Sequence, residues 1–562
     1  MRTVAKALIL LSSIAFCVTL TSAATVAGTV KGPDGAPFRG AIVQAEHQET
    51  KITVHVFTDS QGRYKIDGLL PGQFRVQARA VGFKTENRDG VSLTADQNAS
   101  FDFALQKGTV RWSDLSMYEG RTLLPADPEK ERLTTTCFGC HGFETRMAAA
   151  QRDESGWLDR VNFMRTSEGF ALRRKGSADF ISDDEAEKLA SYLAKMFGPD
   201  SDIAKSPADL PEYSKIKATE PTFTDEALKL VYVSYPVGGN YLPGNGQPEK
   251  DGYVYSWEIA KHQFARVNPK TGEVQQIQVP PDPESGIAFV HSVRMAPDGT
   301  LWYTKRAGNA IAKYDPTTQK VTEYNADKPG FKHTLVVDKH GIVWVSGAPL
   351  SSFDPETGKY TYYEEVKNAY GVDVDKDGNA WFSEPRTGLI GKVDANTHKV
   401  AIFTPPSAKP NGLDEGRTGL PDERYTNQAR RLKVAEDGMI WVGEYGQGKL
   451  ASFDPKSEKF KEYALPGPWP TPYALTIDKK NHVWYASMET DTVGELDPAT
   501  GKVILYPYIY SENQMRDFAT DDDGRVWWGS HTNNRVGYMY IAGPNAPKQA
   551  FAGYTGKETT QK

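Results

Sequence analysis

Cysteine is nearly absent from this chain: three residues in 562, at positions 17, 137 and 140. So few thiols exclude a disulfide framework, and leave a zinc site short of ligands. Excess charge of one sign is also lacking. Lys and Arg number 66 against 72 Asp and Glu, a formal net charge of −6, which gives no basic footprint for nucleic acid. Beyond the N-terminus no apolar run of about eighteen residues occurs, so no membrane span is expected. The ten histidines are scattered, which argues against a copper cluster. No flavin or quinone signature is visible, and PQQ-type docking repeats are missing.

What is present begins with "MRTVAKALILLSSIAFCVTLTSA". Arg2 and Lys6 precede a short apolar run that closes on Thr21-Ser22-Ala23. This is the layout of a secretory signal peptide spanning 1–23, cleaved near Ala23, and it implies a periplasmic or extracellular destination. Cleavage there leaves Cys137 and Cys140 as the remaining thiols.

Those two stand in "TTCFGCHGF", followed at once by His141. A lone CxxC suits a redox disulfide or half of a zinc site. With the adjacent histidine it becomes CxxCH, the attachment signature of covalent haem: two thiols on one helical turn reach the two porphyrin vinyls, and the imidazole reaches the iron. The flanks read as helices. Trp157, Val161 and Met164 share one helix face, and Ser182-x-x-Glu185 caps a second helix carrying Leu189, Tyr192, Leu193 and Met196. The stretch 108–203 resembles the class I cytochrome c domain, most strongly in CxxCH itself. The resemblance implies one covalent haem c held by Cys137, Cys140 and His141. A thioether opposite the histidine suits electron transfer. Met164, downstream on a helix face shared with Trp157, is the candidate sixth ligand.

Residues 24–107 alternate apolar and polar positions between turn signals, as in "TDSQGRYKIDGLLPGQFRVQA". This pattern predicts a small antiparallel β-sandwich. It resembles the carboxypeptidase regulatory-like (transthyretin-like) domain, and nothing in it reads as catalytic.

From residue 250 the chain repeats. The anchors are Tyr255, Trp302, Trp344, Trp381, Trp441, Trp484 and Trp527, each followed by a turn such as "DPTTQ", "DPETG" or "DPATG". Such a repeat, at about 40 residues per unit, predicts a seven-bladed β-propeller. The span 220–545 resembles the virginiamycin B lyase (streptogramin lyase) propeller through "HSVRMAPDGTLWYTKRAGNAIAKYDPTT" and "YALTIDKKNHVWYASMETDTVGELDPATG". Residues 546–562 are read as a tail.

Counting back about eleven residues from each anchor places His291, His333, Tyr370, Arg430, Tyr473 and Arg516 at the central channel. A second ring, just after the anchors, reads Glu258, Lys305, Glu384, Glu444, Glu489 and His531. The lyase resemblance implies elimination at a cyclic ester by a histidine base, with a divalent cation near glutamate. Glu489 matches the family's functional glutamate, but Tyr473 stands where that blade's histidine is expected. His291, His333, Glu384, Glu444 and Glu489 are the candidate catalytic residues. One motif is resisted: "DVDKDGNAWFSE", 373–384, fits the EF-hand expression, but a tight hairpin is the better reading. The insertion at 404–430 lengthens one repeat and could cover the channel or dock the haem unit.

The expected architecture is therefore mainly β and multidomain: an N-terminal β-sandwich, a small all-α cytochrome c domain and a C-terminal seven-bladed β-propeller. The expected role is single-haem electron transfer, with a redox partner protein or a small-molecule substrate at the propeller. A C–O lyase and a non-catalytic docking subunit are the alternatives.

Overall fold

The repeat acquires its physical meaning at the turn before four of the seven anchors. The carboxylate of Asp375 accepts a hydrogen bond from the Trp381 indole six residues on, at 3.0 Å. It also takes the backbone N–H groups of Asp377 and Asn379. Asp338 with Trp344, Asp478 with Trp484 and Asp521 with Trp527 repeat the arrangement. One side chain thus tightens the hairpin and satisfies a buried indole. It also accounts for the EF-hand-like string, because Asp375 is already engaged by its own hairpin. The Asp-Pro turns work similarly: Asp354 accepts from Glu356 N and Thr357 Oγ1, and Asp497 from Ala499 N and Thr500 Oγ1.

The computed structural model describes residues 23–554 apart from 138–147, 149–150, 166–180, 202, 240, 284–285, 307, 410–425 and 553. Six antiparallel four-stranded sheets follow one another from Gln247 to Pro507. A seventh has three consecutive strands, Met515–Thr520, Val526–Ser530 and Arg535–Ile541, and takes its outer strand, Leu230–Pro236, from the start of the repeat region. Successive inner strands are neighbours and the last touches the first blade, so the ring closes as expected of a propeller. The anchors, Tyr255 included, occupy the second position of each blade's second strand.

The N-terminal part is sandwich-like. One sheet holds Ala24–Lys31, Arg63–Leu69 and Asn98–Ser100; the other holds Ile42–His47, Thr53–Phe57, Gly72–Arg79 and Glu86–Leu93. Sequence does not reveal how it joins the rest. Thr53–Phe57 pairs antiparallel with Leu230–Pro236, Val54 opposite Val233, so the second sheet continues the seventh blade. An edge strand that would otherwise offer unpaired backbone groups is thereby covered. The two share a core: Val43, Val76 and Phe74 cluster with Val233, Tyr538 and Trp527.

Between them, among the described residues, lie five α-helices: α1 Met117–Leu123, α2 Pro128–Arg132, α3 Glu154–Arg165, α4 Asp183–Phe197 and α5 Pro211–Lys217. The capping box of Ser182 and Glu185 opens α4, and Leu189, Tyr192, Leu193 and Met196 are buried along it. On α3, Trp157 and Val161 are buried and Met164 is half-buried. No helix among the described residues is long and apolar enough to cross a membrane. Residues 1–22 of the expected signal peptide, Cys140, His141 and residues 410–425 of the insertion lie outside the described residues.

Candidate functional site

Each blade's inner strand begins at the channel, and the residues counted to that position converge. The His291 and His333 rings lie 4.0 Å apart, and His333 and Tyr370 4.2 Å. Tyr370 and Tyr473 join by their hydroxyls. Arg516 Nη1 donates to Tyr473 Oη at 3.3 Å, and the Arg430 guanidinium lies 5.1 Å from the Tyr370 ring centre. Blade one adds a residue that counting back from Tyr255 misses. Trp257 stacks on His291 at 4.5 Å, in space left open by Gly244, where a Cβ would stand 1.8 Å from the indole. The result is a collar of histidine, tyrosine and tryptophan rings with two guanidiniums beside it.

Its chemistry follows from burial. His291 is 7% exposed, and desolvation, then the charges of His333 and Arg306, hold its pKa well below the usual value. A neutral His291 donates from Nδ1 to the His333 carbonyl at 3.2 Å, leaving the Nε2 lone pair as a base. Below the collar, Arg431 bonds the Arg516 carbonyl and Thr334, while Arg294 and Lys433 flank the buried Asp517.

The second ring is placed differently. Glu258 accepts from Gln263 and Gln276, Lys305 pairs with Glu323, and Glu444 accepts from Asn427, all partners in the same blade. Glu384 accepts from Thr387 and the Asn368 N–H, again in its own blade. Each of these side chains is thus bonded within its own blade, to its outer strands for Glu258 and Lys305 and to neighbouring turns for Glu384 and Glu444. Burial raises the carboxyls of Glu258 and Glu444 to about 7. Among the described residues the one group of three metal-ligating side chains within 4.8 Å is Asp478, His482 and Glu495, at blade six. Its members already bond one another and Trp484, and it lies apart from Glu384, Glu444 and Glu489.

Glu489 has a distinct setting. Arg121 of α1 donates to its Oε2 at 3.1 Å and Tyr445 to its Oε1 at 3.0 Å, and it is 1% exposed. Around this pair α1 docks on blades six and seven: Tyr118 N–H donates to the Glu489 carbonyl, Tyr118 packs on Trp469, and Gln514 Nε2 meets Met117 Sδ at 2.9 Å. Nothing in the helical sequence marks Arg121 for this role.

The described part of the helical core offers an apolar wall with two buried donors. Cys137 ends the helical turn Leu133–Cys137, half-buried, and packs on a cluster holding Leu133, Trp157, Val161 and Leu189. Among the described residues Trp157 Nε1 and Tyr192 Oη are buried with no hydrogen-bond partner, two donors in an apolar wall. Haem presents an apolar ring and two carboxylates, and these residues suit both. The same cluster includes Tyr445, Tyr473 and Met488 of the propeller.

Residues 25–106 match the model of the carboxypeptidase regulatory-like domain. No curated protein matches the chain by sequence. Among solved structures, a streptogramin B lyase is similar at 17% identity and TM-score 0.49, over 57% of this chain and 100% of that one. A virginiamycin B lyase from Staphylococcus aureus is similar at 16% and 0.47, over 55% of this chain and 98% of that one. The extracellular domain of a putative one-component system from B. thetaiotaomicron follows at 11% and 0.43, over 55% and 39%.

Proposed function

We propose that this protein is an exported covalent-haem electron carrier whose helical unit is docked on the propeller, exchanging electrons with a small molecule in the channel or with a redox partner protein. The observation behind the reading is the shared core: Cys137 belongs to the same packed cluster as Tyr445 and Tyr473, the rings at the channel. In this reading Cys137 and Cys140 would hold the porphyrin covalently, and His141 and Met164 would bind its iron. Bound haem would supply one-electron oxidation and reduction. The chain does the rest. Leu133, Val161 and Leu189 would keep water from the group, while Trp157 and Tyr192 would offer it their N–H and O–H. Arg121, Glu489 and Tyr445 fasten the helical unit to the blades.

The test is mass and absorbance of protein matured in a host that attaches haem to CxxCH. The expected mass is the chain plus one haem, with Cys137→Ala and Cys140→Ala lowering occupancy. A bare polypeptide mass from such a host ends the reading.

Elimination chemistry retains one supporting observation, the neutral His291 imidazole. Its requirement for Glu489 meets a carboxylate already bonded through both oxygens. Turnover of a cyclic ester, lost in His291→Ala while absorbance is kept, would favour it.

A further inference from the structure

Where sandwich, propeller and helical segment meet, two arginines share one aromatic ring. Arg79, the last residue of a sandwich strand, places its guanidinium carbon 5.0 Å from the centre of the Tyr510 ring. Arg535, the first residue of the seventh blade's third strand, places its own at 5.8 Å. Both are half-buried. Among the described residues neither has a carboxylate within ion-pair distance. The nearest acid acting on Arg79 is Asp114, and it is committed to Arg111 at 2.5 Å. Asp491, which with Arg535 acts on the buried Tyr508 hydroxyl, accepts the N–H groups of Glu512 and Asn513.

The remaining contacts orient these cations without neutralising them. Arg535 Nη1 donates to Ser234 Oγ at 3.0 Å, and Ser234 Oγ lies 3.1 Å from His55 Nε2. His55 is fully buried, and desolvation, then the charges of Arg535 and Arg79, lower its pKa well below the usual value, so it adds no charge. Arg79 is held by Gln44 Oε1 at 3.4 Å and by the Ile509 carbonyl. Arg79 Nη1 and Arg535 Nε and Nη2 meet no acceptor among the described residues. Two half-buried guanidiniums converging with spare donors and no counter-charge leave a local excess of positive charge that an anion relieves.

We infer that this junction binds a small oxyanion, a phosphate or a carboxylate, through Arg79 and Arg535. The bound anion bridges a strand of the sandwich to a strand of the propeller, so it stabilises their union. The site borders the helical segment at Asp114 but uses none of the residues proposed to hold haem or those of the channel collar, and stands whether or not haem is attached.

The test is isothermal titration and thermal unfolding of the full chain with sodium phosphate and with sodium acetate, against sodium chloride at matched ionic strength. The expected result is one site per chain for at least one oxyanion, with a higher unfolding midpoint than in chloride. Arg535→Gln and Arg79→Gln each weaken binding about tenfold, the loss of one charge-assisted bond. Arg535→Lys, which keeps the charge and is the milder change, retains more affinity than Arg535→Gln. Phosphate alone, acetate alone or both identify the chemistry. Chloride matching the oxyanions, or variants binding as the wild type does, means an adventitious ion only and overturns the assignment.

Discussion

Arg121 Nη1 lies 3.1 Å from Glu489 Oε2, an ion pair between residues 368 positions apart that ties α1 to the sixth blade. Glu489 is 1% exposed, so removing its partner strands a buried charge. Arg121→Met should cost about 3–5 kcal/mol. Glu489→Gln in that background should recover much of it, because the amide carries no charge. Denaturant unfolding of the four chains of the double-mutant cycle reads both effects; equal stability of Arg121→Met and wild type would dismiss the pair as structurally idle.

Glu258 predicts a pH dependence. Burial raises its carboxyl from the ordinary 4.5 to about 7, while Gln263 and Gln276 oppose the shift. The folded protein therefore holds more protons than the unfolded chain between these values. Its contribution is fully present below pH 4.5 and is lost as pH rises through 7, on the order of 3 kcal/mol in all. Glu258→Gln should flatten that part of the profile. Urea midpoints from pH 4.5 to 8 give the slope, and an unchanged profile in the variant would refute the assignment.

On the proposed haem reading, Met164→Ala should abolish the sulfur-to-iron charge-transfer band of the ferric protein without releasing haem, since thioether bonds from Cys137 and Cys140 would persist. Near-infrared absorbance reports the band. Its survival would move the sixth ligand elsewhere.

Deleting residues 24–107 should make the remaining chain self-associate. Leu230–Pro236 would lose Thr53–Phe57 and present an open strand edge to other copies. Size-exclusion chromatography distinguishes the outcomes, and a clean monomer would show that something else covers that edge.

Much of the propeller was legible in the chain because its rules are local. An aspartate six residues before a tryptophan closes a hairpin whatever surrounds it, and strand alternation places His291 and His333 at one end of each blade by counting. The α4 cap and its buried stripe were readable for the same reason. The second ring was not, because position along a strand does not say whether a long side chain reaches the channel or folds back on its own blade. Glu258 and Glu444 fold back, since neighbouring strands offer amides that water in an open channel would not need to replace. Trp257 entered the collar through the missing side chain of Gly244, a vacancy visible only in space.

By itself the sequence determined the repeat, its strands and turns, and the paired thiols beside His141, all set by residues within a few turns of one another. Tertiary structure alone decided that Leu230–Pro236 completes the last blade, that Thr53–Phe57 extends it, and that Arg121 finds Glu489. The reason is distance along the chain: backbone edges and buried charges are satisfied by whichever distant segment packing brings near, and no local pattern encodes that choice.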